Sequence, residues 1–215
     1  MTGTEERGGV DGSRPAPDGR AGVPPATAGG APWWLSFTGL IPVALILVPL
    51  LAGAWTIAIV VNLAASVGVI AFHLAKRQGV TSFDLLVLAL GIVNAILWFG
   101  LGQTWLLTNF AVPLYALLAL ECALSIRRGA PWTAQFARRG VDPSLWETDG
   151  FRTVNEAATR HWARGFALCA LLALIPPPGG VIASTVVLVL VVRGTRRVVA
   201  RARAEVAAGT RPAAG

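Results

Sequence analysis

The sequence predicts an all-α fold: a polytopic membrane helical bundle of about six transmembrane helices, with both termini in the cytoplasm. Three observations carry that expectation. The first is composition. Of 215 residues, 54% are hydrophobic and 13% charged, with a mean hydropathy of +0.63, whereas a soluble domain carries about 25% charged residues. One small core cannot hide that much apolar surface, so it needs lipid. The second is where the cations fall. All 18 Lys and Arg residues lie in four patches, 7–20, 76–77, 127–164 and 193–211, and the stretches between hold none. If those stretches are three hairpins, every patch meets the same side of the bilayer, as the positive-inside rule requires. The third is tryptophan. On this scheme Trp55, Trp98 and Trp105 approach the outer interface, and Trp33, Trp34, Trp132, Trp146 and Trp162 the inner one. No Trp is left at the midplane, in keeping with aromatic belts.

Residues 1–31 are rich in Gly, Pro and Ala, lack apolar periodicity and are expected to form a disordered cytoplasmic tail. Glu5 and Glu6 stand where a signal peptide needs a basic segment, so none is read there. The transmembrane domain is expected over 32–197. Residues 33–75 are apolar almost throughout; as one helix they would run roughly 60 Å, twice the hydrocarbon core. The stretch therefore turns back near Pro49–Gly53, giving spans 33–49, kinked at Pro42, and 54–75. Spans 82–101 and 105–126 follow, joined by a turn at Gly100–Gln103, with Pro113 inside the second.

Residues 127–150 form the longest connection. Trp132 and Phe136 are four apart with Arg139 beyond, which suits a short amphipathic helix in the headgroup plane. Asp142-Pro143 reads as a helix start, Asp capping and Pro in the first helical position. The last hairpin is expected as spans 151–175 and 181–195, broken at Pro176–Gly180. Arg152, Arg160, His161 and Arg164 fill the first half of the fifth span, leaving 165–175 cleanly apolar; its partner is cleanly apolar only over 181–192. Full crossing, with arginines snorkelling, competes with a shallow dip and with a single kinked pass. The kinked pass would strand six C-terminal arginines outside, against the charge rule. Residues 198–215 are a basic tail, suited either to fixing topology or to resting on anionic lipid.

The net charge of +7 does not indicate nucleic acid, because the cations flank apolar spans. Cys122 and Cys169 lie in apolar stretches without metal-ligand spacing and read as inert buried thiols. There is no His-Glu-x-x-His, phosphate-cradling Gly loop or Gly-x-Ser-x-Gly elbow. His161, between Arg160 and Arg164, suggests no dyad. No catalytic residue, cofactor or metal is expected, and the chain reads as a non-enzyme.

Polar groups inside a bilayer are costly, so each needs a reason. His73 and Asp84 stand at facing span ends across a short link. They read either as a proton-sensitive pair at the cytoplasmic mouth or as two interfacial residues in contact with water and with Lys76 or Arg77. Glu121 lies deeper, roughly 9 Å from Arg127 along a helix. It is expected to be the most buried acid, paired with an arginine, lining a cavity or neutralised by Arg127 or Arg128. Asn62 and Asn94 fall near mid-span, and Asn62, Ser66 and His73 share one helical face. They form either a polar pathway or interhelical hydrogen bonds worth roughly 0.6–2 kcal/mol each. Ala64-x-x-x-Gly68 and Gly91-x-x-x-Ala95 suit close helix packing. Trp132, Phe136, Arg138, Arg139 and Trp146 are the candidate cytoplasmic interaction surface.

The order of these features resembles the intracellular septation protein A-like family of small bacterial inner-membrane proteins. The likeness covers roughly 35–197. It comprises an apolar hairpin, the link Lys76-Arg77, a tight span pair, a basic connection carrying Pro131, Trp146 and Asn155, and a final pair opening at Trp162-Ala163. The Pro176–Pro178 turn and the long N-terminal tail depart from its pattern. The resemblance implies a multi-pass protein of the bacterial cytoplasmic membrane. It further implies a role in envelope maintenance or division through contacts with other membrane proteins. The expected partners are the lipid bilayer, such proteins and a second copy of the chain, with no nucleic acid. A small transporter or channel, and a lipid-modifying enzyme holding a phosphate headgroup on the basic face, are the rival readings.

Overall fold

The computed structural model describes residues 41–77, 79–176 and 179–209. The expected tail 1–31, the first part of span 33–49 and the end of the basic tail lie outside them. Regular structure among the described residues is entirely helical. Helix α1 (Ile41–Leu51) turns at Gly53, which takes a φ of 70°, into α2 (Trp55–Ala75). Here Ala54 N–H reaches back to Pro49 O at 2.8 Å and closes the last turn of α1. Pro42 is buried in α1. A link containing Arg77, itself at φ 53°, leads to α3 (Ser82–Ala95), whose last turn widens into a π-helix over Ile96–Gly100. After α4 (Trp105–Thr108) come α5 (Ala111–Arg127), one turn of α6 (Ala134–Ala137), a 3-10 turn (Pro143–Leu145), α7 (Asp149–Leu172) and α8 (Gly179–Ala207).

Packing runs in sequence order: α1 on α2, α2 on α3, α5 on α7, α7 on α8. The contacts make α2 and α3 antiparallel. Trp98 Nε1 donates to Thr56 Oγ1 at 3.1 Å at one end, and His73 meets Asp84 at the other. In the same way α7 and α8 meet at Gly150 and Val206, and again at Gly165 and Val191.

The helices α2 and α3, with the π turn, are long and apolar enough to cross a membrane, at mean hydropathies of 2.2 and 2.0. Only 28% and 33% of those windows are buried, so their apolar side chains point mostly outward rather than into a core. Large exposed apolar residues continue on α5 (Leu117, Leu120), on α7 (Leu168, Leu171) and on α8 (Val181 to Val192).

Three expectations need correction. Span 105–126 is not one helix, because it breaks at Asn109–Phe110. Pro113 has no N–H for the carbonyl of residue 109, and it is tolerated because it falls in the first turn of a new helix. Thr108 Oγ1 and Asn109 Nδ2 both donate to Trp105 O, at 2.9 Å each, beside the Asn109 N–H that reaches the same carbonyl at 3.0 Å. Next, α8 does not end at the sixth span but carries the basic segment to Ala207 as one helix of 29 residues. Contact with α7 holds it there, with Ala202 2% exposed.

Finally, the 127–150 connection does not lie flat as an amphipathic helix. Gly129, at φ 70°, ends α5 in a Schellman turn, with Gly129 N–H to Ile126 O and Ala130 N–H to Ser125 O, both at 3.0 Å. The chain folds back, Ser125 Oγ accepts from Trp132 N–H at 2.9 Å, and Trp132 enters the core at 6% exposure. There it packs edge-on against Phe83, Phe136 and Phe166, with Trp162 beside it. Thr133 fixes the segment to α7 through Asn155 O at 2.9 Å and Thr159 Oγ1 at 3.0 Å. The expected start at Asp142-Pro143 is present, as a cap on the 3-10 turn: Asp142 Oδ1 accepts from Ser144 N–H at 2.9 Å.

Candidate functional site: a polar seam between α2 and α3

On α2 the buried face reads Ala58, Ile59, Asn62, Ser66, Val69, His73. On α3 it reads Phe83, Asp84, Val87, Leu90, Gly91, Asn94. Spacings of three and four residues put each polar set on one stripe. Because the helices are antiparallel, the stripes face each other, and the seam follows α2 for roughly 16 Å, from Asn62 to His73.

At one end the pair is tightly built. His73 is 0% and Asp84 5% exposed, with His73 Nδ1 3.1 Å from Asp84 Oδ2. The same oxygen accepts from Thr81 N–H at 3.0 Å and Thr81 Oγ1 at 2.7 Å, while Asp84 N–H donates to Thr81 Oγ1 at 3.2 Å. This is a capping box, so Asp84 has a structural duty at the start of α3 in addition to holding His73. Oδ2 serves as the acceptor for Thr81, and the contact with it suits a His73 tautomer that donates from Nδ1. The alternative of two water-exposed interfacial residues is overturned by their burial.

The folded-back connection covers this end. Gln135 Oε1 accepts from Ser82 N–H at 2.8 Å and Gln135 Nε2 donates to Ser82 Oγ at 3.0 Å. Arg139 Nη2 donates to Gly79 O at 3.1 Å. Burial holds the Arg139 guanidinium below its usual pKa, and the nearby Asp84 charge partly offsets this. In Arg139, then, the candidate cytoplasmic surface and the His–Asp site meet, a link that sequence spacing does not reveal.

Toward mid-helix the seam changes character. Asn62, Ser66 and Asn94 are 1%, 2% and 2% exposed. Their side-chain polar atoms have no hydrogen-bond partner among the described residues. Of the two alternatives for the asparagines, interhelical hydrogen bonds are not seen among the described residues. Helices α2 and α3 approach closely because position 91 is glycine: a Cβ there would collide with Asn62 Oδ1 and lie 3.1 Å from Leu63 Cδ2. Gly68, in the other small-residue motif, has nothing within 4 Å and packs no helix among the described residues. From the Asp84 end as far as Ser66 runs a narrow crevice lined by Pro42, Ser66, Val69, Asp84 and Val87.

The remaining candidates lie elsewhere. Glu121 is half-buried and off the buried face of α5, which is Leu114, Leu118, Cys122 and Ser125. Among the described residues it makes no ion pair, and Asp84, not Glu121, is the most buried acid. Arg138 is exposed, stacks 5.3 Å over Trp146 and lies 3.9 Å from Glu147. Trp146 Nε1 donates to Val141 O at 3.0 Å. His161 forms no dyad; its Nε2 lies 3.0 Å from Val191 O, where Gly194 leaves room for the ring. Cys122 and Cys169 are free and buried. Among the described residues no group of His, Cys, Asp and Glu is arranged to hold a metal. No protein-family model matches the chain, and no curated protein or solved structure is significantly similar to it.

Proposed function

We propose that this is a small multi-pass membrane protein whose working part is the α2–α3 seam, a pathway for a small polar species. The observation that carries this reading is the trio Asn62, Ser66 and Asn94, buried and unpaired among the described residues. Leaving a polar group buried without a partner costs about 1–3 kcal/mol, and more where lipid surrounds the helix and no water can help. A cost of that kind, repeated along one stripe that ends at His73 and Asp84, marks a route with transient occupants.

The membrane setting belongs to the same proposal: six crossings, both termini in the cytoplasm, in a bacterial cytoplasmic membrane. Its support is the outward apolar surface of α2, α3, α5, α7 and α8. Contacts among 79–82, 125–139 and 155–162 also bring the Lys76–Arg77 and 127–164 patches to one end of the molecule. The rival reading, interaction with envelope or division proteins through 127–150, fits the geometry less well, because Trp132 and Phe136 are engaged internally.

The test is permeation. Purified protein in liposomes should pass at least one of protons, sodium, potassium, chloride, glycerol or urea faster than empty liposomes do. Replacing Asn62 and Asn94 together by Leu should remove that flux while the protein still elutes as a folded species. If proteoliposomes are no leakier than empty ones to all six, the pathway reading is wrong.

A further inference from the structure

We infer that Arg164, Arg193, Arg196 and Arg197 bind the headgroup of an anionic phospholipid where the α7–α8 hairpin leaves the apolar layer. The inference rests on the membrane setting proposed above and not on the seam being a pathway. From 157 to 204 the hairpin contains no Asp or Glu. At one edge of that stretch Glu156 takes Arg160 at 3.2 Å and Arg152 at 3.7 Å. At the other edge Glu205 takes Arg201 at 3.9 Å. The acids thus neutralise the outer arginines and leave the inner ones open. Arg164, Arg193, Arg196 and Arg197 are all exposed and make no ion pair among the described residues.

Packing brings these four to one level. The space beside Gly165 is filled by Val191, two residues ahead of Arg193, so Arg164 on α7 stands level with the first arginine of α8. One turn away, His161 Nε2 lies 3.0 Å from Val191 O and its ring rests against Gly194. From Arg193 to Arg197 the helix climbs only roughly 6 Å. Val191 and Ala202 are buried on the inner side of α8, and Arg193, Arg196 and Arg197 between them are turned outward.

Depth selects a lipid as the occupant. The apolar half of α8, Gly179 to Val192, covers roughly 21 Å, against a hydrocarbon core of about 30 Å. Its outer stripe of Val181, Ile182, Val189 and Leu190 is exposed almost up to the first arginine. Because α8 continues as helix to Ala207, Arg193–Arg197 stay in line with that stripe instead of bending away to water. They are carried at the boundary between acyl chains and headgroups, where the anion at hand is a lipid phosphate. A guanidinium matches two phosphate oxygens with parallel hydrogen bonds. Several unneutralised cations exceed the charge of one phosphodiester, so a headgroup with two phosphates, or two singly charged lipids side by side, balances them. A zwitterionic headgroup brings its own cation and is repelled.

The experiment uses the full chain in phosphatidylcholine nanodiscs, where both faces are open and the direction of insertion plays no part. Trace spin-labelled phosphatidylglycerol or phosphatidylcholine reports lipid held at the protein surface as a motionally restricted signal. Wild type should prefer phosphatidylglycerol by at least about fivefold, the weight of one interfacial cation. Replacing Arg193, Arg196 and Arg197 together by Gln should abolish the preference, with helix content by circular dichroism unchanged, since Gln is a good helix former. Should that variant misfold, Arg197→Gln alone should lower the preference by at least about twofold. Arg152→Gln, which removes a cation already paired with Glu156, should leave it as it is. No preference in wild type, or a preference that survives these replacements, overturns the inference. So does its loss to excess inorganic phosphate at constant ionic strength, which marks a site for free phosphate. Restricted lipid without preference leaves the membrane setting standing, whereas no restricted lipid of either kind overturns both.

Discussion

Asn62 and Gly91 show how much one pair of residues decides here. The carboxamide of Asn62 fills the space that a side chain at position 91 would occupy. Gly91→Ala must therefore push α2 and α3 apart or rotate Asn62 off its rotamer, at about 1–3 kcal/mol. The expected result is a lower melting temperature in detergent, restored in part when Asn62 is shortened to Ser in the same chain. An unchanged melting temperature for Gly91→Ala would mean that the helices do not touch there. The His73–Asp84 contact is legible from sequence, because a short link between two helices leaves their facing ends little choice of neighbour. That Asn62 and Asn94 find no partner among the described residues is not legible. Spacing says which face a residue occupies, but whether a partner lies within 3 Å depends on interhelical distance, and a glycine on the other helix sets that.

Helices α4 and α5, and the segment after them, show what the sequence conceals at the next scale. Hydropathy over 105–126 does not fall at Asn109, since one Asn among apolar neighbours barely changes an average; the missing N–H of Pro113 makes the break. In the same way Trp132 and Phe136, four apart beside arginines, have the spacing of an interfacial helix and of a core anchor alike. Gly129 decides between them by turning the chain inward. The 3-10 turn at Pro143 makes a pH-dependent prediction. Asp142 is held below its usual pKa by the Ser144 hydroxyl and N–H. A depressed carboxyl stabilises its turn above the ordinary value, about 3.9, and that contribution vanishes as pH falls through the lower folded value. Amide exchange at Ser144, corrected for intrinsic rates, should stay protected at neutral pH and lose protection only in strong acid. Asp142→Ala should expose it at every pH, and equal protection in both proteins would rule out the cap.

Across the whole molecule, the four basic patches predict orientation, and the packing brings three of them, at 76–77, 127–164 and the start of 193–211, to the same end. Accessibility labelling tests this with little background, since Cys122 and Cys169 are both 0% exposed. A membrane-impermeant maleimide should modify a cysteine introduced at Gly102 in intact cells. It should reach one introduced at Gly140 only after the membrane is opened. The reverse pattern would invert the topology, and labelling of both in intact cells would remove the barrier between them.

Helix α8 has a mechanical consequence. At 1.5 Å per residue its 29 residues form a rod about 43 Å long. No proline interrupts it between its apolar half, ending at Val192, and its arginine-bearing half. Gly194 stands between the two halves, with the His161 ring packed where its side chain would be, and the helix runs through it unbroken. The far end of the rod is Gly180, where the backbone lies against the carbonyls of Ile175 and Leu172 at the tip of α7. The arginines and the tip of the hairpin thus belong to one unbroken helix, so a displacement of either is expected at the other.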